Sequence, residues 1–153
     1  MDAKRAPLTD AEASLLEETL HQWRKKRVSW LMDTFGDIRY VIERLRAASR
    51  HGRLIKFYDE QGTFSGILLF DIGTVWWTPE RVCAEEFVLA VQGARGIQRA
   101  AAEHLEALAE EHAAKLIVCG NIFQENNNLI GNGYKKAGFR QACATYAKEV
   151  KET

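Results

Sequence analysis

What this sequence has little of narrows its nature before any motif is considered. No run of apolar residues approaches the ~20 needed to cross a bilayer, because charged residues interrupt every stretch of that length. No seven-residue apolar run follows Met1, so the signal-peptide pattern is missing and a cytoplasmic location is expected. The 21 Lys and Arg balance the 21 Asp and Glu. No global field therefore draws the chain to nucleic acid or to an anionic membrane, and neither partner is expected. Cysteine is scarce as well. Cys83, Cys119 and Cys143 are odd in number, far apart and set among apolar residues, which argues against a disulfide framework or a metal set. His104 and His112 lie eight residues apart, too far along a helix to share one ion. No metal is expected. There is no repeat, no low-complexity tract and no linker, so residues 1–153 are expected to form one domain.

What is present reads as helices followed by a mixed α/β part. Thr9 and Asp10 are good N-cap residues, with Glu12 in capping-box position. Leu16, Leu20, Trp23 and Arg27 then recur at helical spacing. The basic run Arg24–Arg27 suits a solvated helix end, where cations are favoured. A second helix is expected after Gly36–Asp37, with Ile38, Val41, Ile42, Leu45 and Ala48 on one face, ending at His51–Gly52. Residues 1–52 thus read as a helical N-terminal part. Residues 53–150 read as a sheet with flanking helices.

The period changes after Gly52. Leu54–Tyr58 and Phe64–Ile72, joined by Asp59-Glu60-Gln61-Gly62, predict a β-hairpin. Thr74–Trp77 is expected to prolong the sheet until Pro79 breaks it, and Val82–Val91 to form the next strand. The strongest helical pattern follows, with Ile97, Ala101, His104, Leu105, Leu108 and His112 on one face. Lys115–Gly120 predicts a short buried strand, Asn126–Lys136 a weaker helix closed by Ala137-Gly138-Phe139, and Gln141–Val150 a last strand. Helices and strands alternate, so the fold class is α/β with a mixed sheet.

Three places could carry chemistry. The turn Gln92-Gly93-Ala94-Arg95-Gly96 joins a strand to a long helix, whose start offers unpaired N–H groups and the positive end of a dipole to an anion. Arg95 and Arg99 add charge. No Lys-Ser or Lys-Thr follows, so it is no Walker loop, and a plain strand-to-helix turn would use the same residues. Glu85 and Glu86 sit mid-strand, where successive side chains face opposite ways. One of the two should point into the domain or a cleft, unless the strand is half-exposed. Asn126–Asn128 suits a helix start, and Tyr134, near that helix's end, could be core or a proton donor in a cleft.

Together these residues resemble the GNAT superfamily of acyl-coenzyme A N-acyltransferases. Ala84–Val91 followed by Ala94-Arg95-Gly96-Ile97 is similar to that family's fourth strand and pyrophosphate loop. Asn127, Tyr134 and Gly138–Phe139 are similar to its closing motif. Trp76–Trp77 is similar to a pair found in GNAT proteins common in phage genomes. The likeness spans roughly Leu54–Val150. It departs from the family pattern at Gly93 and Gln98, the first and last positions of the glycine loop, and in opening with helix instead of a strand. The resemblance implies a central mixed, mostly antiparallel sheet flanked by helices. It implies acetyl-CoA or another acyl-coenzyme A as co-substrate, held by Leu89, Ala90, Val91, Ala94, Arg95, Gly96, Ile97, Gln98, Arg99 and Asn127. It also implies Glu85 or Glu86 as general base and Tyr134 as general acid, acting on an amine of a small molecule or protein. Homodimer formation is left open. The rival expectation is a catalytically inactive protein of the same fold that binds a macromolecular partner through Trp23, Trp30 and Arg24–Arg27.

Overall fold

The computed structural model describes residues 1–91, 93–120, 128–142 and 146–150. Helix α1 (Asp10–Lys26) starts where the capping box places it. The Thr9 hydroxyl accepts from the Glu12 N–H, and the Glu12 carboxylate accepts from the Thr9 N–H. Arg27 ends the helix in the left-handed conformation at φ 51°. A six-residue helix α2 (Trp30–Phe35), capped by Ser29, precedes α3 (Ile38–Arg50), capped by Asp37. Six residues are too few for a helical period to show in sequence, which is why α2 was not expected.

The sheet has five strands in the order of the chain: β1 (Asp2–Lys4), β2 (Leu54–Tyr58), β3 (Phe64–Val75), β4 (Thr78–Ala90) and β5 (Leu116–Val118). The first three junctions are antiparallel and β4–β5 is parallel, so the sheet is mixed. The expected helical opening is corrected here. Residues 2–4 pair with Lys56–Tyr58 of β2. Asp2-Ala3-Lys4 has no apolar alternation, so only the exposed edge of β2 makes it a strand. Pro79 does not break the sheet either. It belongs to β4 and falls, with Glu80, in a register irregularity between the pairs Thr74↔Arg81 and Val75↔Thr78. A residue without an N–H is tolerated at such a place. Trp76 and Trp77 form the hairpin tip instead of prolonging a strand, with Trp76 almost wholly exposed. The expected last strand over 141–150 is absent from residues 141–142 and 146–150, and Tyr146 and Val150 stand exposed there. Residues 143–145, including Cys143, lie outside the described set.

Helices cover both faces of the sheet. On one face α1 and α3 bury Leu16, Leu20, Ile42 and Leu45 against Leu54, Ile67, Phe87 and Leu89. Trp23 meets Phe87 edge-on at 6.1 Å. On the other face α4 (Ile97–Glu111) buries Ile97, Ala101, Leu105 and Leu108 against Ile55, Phe57, Leu68, Cys83 and Val88. The sheet thus has an apolar layer on each face, and α1 and α3 form part of one of them.

A polar cluster fixes α1 on the sheet. Lys56 donates from Nζ to Glu12 Oε1 at 2.9 Å and to the Pro7 carbonyl at 2.9 Å, and the Tyr58 hydroxyl donates to Glu12 Oε2. Lys56 and Glu12 are both buried. Burial would raise the Glu12 carboxyl, but the Thr9 N–H, Tyr58 and Lys56 outweigh it and hold it below its ordinary 4.5. Burial likewise opposes the charge on Lys56, yet Glu12 and Tyr58 keep it above 10.5. Removing one member of a buried pair strands the other and costs ~3–5 kcal/mol.

Glu12→Ala should therefore lower the melting temperature by on the order of 10 °C at neutral pH, for a domain of this size. A lowered carboxyl contributes stability that is complete above its unfolded value and fades as pH falls through the folded one. The gap between wild type and Glu12→Ala should accordingly close below pH 4.5. Equal melting temperatures at pH 7 would show that the cluster does not hold the helix.

Candidate active site

The site begins where β4 and β5 part. Their register runs from Val82↔Leu116 to Ala84↔Val118 and stops, while β4 continues to Ala90. At the same place β4 carries an extra residue. Leu69 faces Phe87 and Phe70 faces Glu85, so Glu86 is bulged out of the β3–β4 ladder. A bulge re-aims the side chains that follow it. Past it, Phe87 and Leu89 face α1 and α3, while Val88 faces α4 together with Cys83 from before the bulge. Glu85 lies two residues after Cys83 and is buried, and Glu86 is exposed. Without the bulge Glu85 would share the face of Phe87.

Glu85 is where the closing helix reaches the sheet. Tyr134, on α5 (Asn128–Lys136), donates its hydroxyl to both carboxylate oxygens, at 2.9 and 2.8 Å. The end of α5 holds the ring in place. Gly138 takes φ 91°, the Phe139 N–H donates to the Tyr134 carbonyl at 3.0 Å, and the two rings meet edge-on at 5.8 Å. Burial, the charge of Glu85 and the hydrogen bond to it push the Tyr134 phenol far above its ordinary 10.0. Cys119, just past β5, joins the same carboxylate; burial first, then Glu85, raise its thiol strongly. Burial and Asp71 lift Cys83 to about 11. Both thiols thus stay protonated and unreactive near neutral pH.

Glu86 has a different setting. Its carboxylate lies 3.4 Å from Arg53 Nη2, which also pairs with Asp71 at 2.9 Å, and all three side chains are partly solvated. The two glutamates are therefore unequal. Tyr134 and Glu85, expected as general acid and candidate general base, are in direct contact.

From Glu85, β4 leads to the glycine turn. Gly93 and Gly96 adopt φ 83° and 82°, left-handed conformations that L side chains rarely take. Gly96 is the N-cap of α4, and no side chain caps that helix start. A Cβ added at Gly93 would meet nothing within 4 Å, and one at Gly96 only Met1 Cε at 3.8 Å. The turn is thus open in front of the helix N-terminus. Arg95 is exposed, whereas Arg99 pairs with Glu103 at 3.2 Å. A further glycine, Gly66 on β3, permits the close approach of β4: a Cβ there would lie 2.5 Å from the Leu89 carbonyl oxygen. Leu89 is fully buried, Ala90 and Val91 partly so, and Ile97 is buried under α4. Gln98, in the first turn of α4, lies beside Tyr134. Asn127 lies outside the described residues. Among the described residues no three His, Cys, Asp or Glu side chains could hold a metal, and no helix is long and apolar enough to cross a membrane.

The comparisons with known proteins bear on the fold. Neither a family model nor a curated protein sequence matches the chain. Solved structures do. A ribosomal-protein-alanine N-acetyltransferase from Brucella melitensis superposes with a TM-score of 0.66 at 15% identity, over 99% of this chain and 100% of that one. A GNAT-family acetyltransferase from Listeria monocytogenes gives 0.64 at 17%, over 94% and 88%. A Bacillus halodurans protein gives 0.69 at 16%, over 98% and 100%. The fold is that of the GNAT acetyltransferases.

Tyr134 should therefore resist ionisation in the folded protein. In a spectrophotometric titration, wild type and Tyr134→Phe should give the same phenolate signal until alkali unfolds them. Glu85→Gln removes the charge that raises the phenol, and should bring its ionisation to lower pH. A phenolate step near pH 10 that Tyr134→Phe abolishes would contradict the Glu85–Tyr134 bond.

Proposed function

We propose that this protein is an acyl-coenzyme A-dependent N-acyltransferase, with acetyl transfer to an amine of a small molecule or protein as its reaction. The observation that carries the reading is the buried Glu85–Tyr134 pair at the point where β4 leaves β5. The same strand runs on from there into an uncapped, open helix start. The glycine turn suits the co-substrate. A pyrophosphate accepts hydrogen bonds from first-turn amides and is favoured by the helix dipole, and neither Gly93 nor Gly96 offers a Cβ to obstruct it. Amides from Ala94 to Arg99 would hold it, with the exposed Arg95 as the nearest unpaired cation. The backbone of Leu89–Val91 would bind the arm that leads back toward Glu85.

When bound, acyl-coenzyme A supplies the activated thioester, and the chain's own residues handle protons. An amine of pKa ~10.4 is protonated at neutral pH all but about one time in a thousand, a penalty of roughly 4 kcal/mol. Glu85 is the group that takes its proton, directly or through water. The Tyr134 bond then gives that transfer a second consequence. Ionised Glu85 holds the phenol protonated; once neutral, it accepts that hydrogen bond more weakly and no longer opposes a phenolate. Tyr134 becomes a stronger acid at the moment the departing sulfur needs a proton. Two transfers usually assigned to separate groups are thereby linked through one hydrogen bond.

A second reading is a GNAT-fold protein without catalysis that binds a macromolecular partner. Exposed Trp30 and Phe35, in edge contact at 6.1 Å, favour it. Trp23 does not, because it packs on Phe87, and Arg24 is engaged with the Gly36 carbonyl at 2.7 Å.

Calorimetry with coenzyme A separates the two. Wild type should bind, and Gly96→Val should lose binding while keeping its fold, since a β-branched residue at φ 82° is strained. In turnover with acetyl-CoA and an accepted amine, Glu85→Gln should lose ~10²–10⁴ in rate and Glu86→Gln little. No heat with millimolar coenzyme A would leave the partner-binding reading in possession.

A further inference from the structure

Gln98 occupies the last position of the glycine loop, one of the two places where the chain departs from the family pattern. From the first turn of α4 it lies against the Tyr134 phenol, close enough to favour the phenolate form. Its amide nitrogen Nε2 is buried and makes no hydrogen bond. A buried donor left unpaired destabilises a fold by far more than an apolar group of the same shape would. Such a group calls for an explanation, and places where a local rule is broken are expected to be functional. The phenol offers one. Its proton is directed at Glu85, at 2.8 and 2.9 Å. Among the described residues, the groups around the hydroxyl are Glu85 on β4, Cys119 after β5 and Gln98 on α4, with Phe139 against the ring. Glu85 accepts that proton through its carboxyl oxygens, and the Cys119 thiol is engaged with it. Among these groups, only Gln98 has a spare N–H to offer an oxygen that acquires negative charge.

We propose that Gln98 is a positioning residue for Tyr134, its side-chain amide donating to the phenol oxygen as that oxygen gives up its proton. The inference rests on the acyltransfer reading and deepens it. The cluster carries one proton from nitrogen to sulfur. Glu85 gains a proton from the amine. The Tyr134 O–H breaks as its proton goes to the departing sulfur, and the oxygen's new charge takes a hydrogen bond from Gln98 Nε2. The proton on Glu85 then passes to that oxygen. The nitrogen, once acylated, sheds its second proton to water; carboxylate, phenol and amide are restored, and of the two protons lost by the ammonium one reaches sulfur.

The test compares wild type, Gln98→Met, Tyr134→Phe and the double variant, using acetyl-CoA with an accepted amine for turnover and coenzyme A alone for calorimetry. Methionine keeps the length and approximate volume of glutamine and has no donor. Gln98→Met should lower kcat by about tenfold, the scale of one hydrogen bond to a charged oxygen, with Kd for coenzyme A within twofold of wild type. Its melting temperature should be unchanged or up by roughly 2–6 °C, because an unpaired buried donor has been removed. In the Tyr134→Phe background the same substitution should have no further effect on kcat. A coenzyme A affinity lowered tenfold with kcat unchanged would mean that Gln98 contacts phosphate, and would overturn the proposal alone. So would a melting temperature several degrees lower, or an equal loss of kcat with Phe at 134. A wild type that neither binds coenzyme A nor acetylates would overturn the acyltransfer reading, and this inference with it.

Discussion

The arrangement of this site depends on a single strand having two partners over one half and one partner over the other. β4 is paired on both sides from Val82 to Ala84, and past Ala84 its register with β5 ends. The extra residue Glu86 lies at the same point. The parting of the strands opens the sheet, and the bulge turns Glu85 onto the face where α5 can reach it. With the bulge absent, the carboxylate would lie under α1 with Phe87. Tyr134 would then have no partner.

A buried carboxylate is expensive unless hydrogen bonds compensate it, and this domain has two, used differently. Glu12 is surrounded by three kinds of donor: the Thr9 amide, the Lys56 ammonium and the Tyr58 hydroxyl. It is fully charged and fully paired, which suits a group that ties a helix to a sheet. Glu85 is met by a phenol and a thiol, both neutral donors. A carboxylate held by groups that can exchange protons with it is suited to moving a proton. The contrast within one small domain is the physical argument for assigning structure to the first and chemistry to the second.

Much of this was legible in the sequence, for local reasons. Thr9 with Glu12, Asp37, and Gly96 ahead of Ile97 mark helix starts by capping chemistry that needs no tertiary context. The apolar runs Leu54–Tyr58 and Phe64–Ile72 around a short polar turn ending in Gly62 mark a hairpin in the same way. What was not legible depends on contacts distant in sequence. Residues 2–4 are a strand only because the edge of β2 accepts them. Alternation alone leaves Glu85 and Glu86 equivalent, since a bulge is defined by the partner strand. Gln98 stood out as a departure from the loop pattern, but its direction is set by Tyr134, thirty-six residues later. The Gln141–Val150 pattern has strand-like composition without a neighbouring edge among the described residues, and composition does not supply one.

The central claim is that the open turn at Gly93–Gly96 and the strand leading into it bind the coenzyme next to Glu85. The most direct measurement is the change in backbone amide resonances of the full chain as coenzyme A is added. The account predicts the largest shifts at Leu89–Val91 and Gly93–Arg99, with a smaller change at Glu85, and none at the hairpin tip around Trp76 and Trp77. Saturable shifts confined to another surface, or no shifts at millimolar coenzyme A, would contradict it.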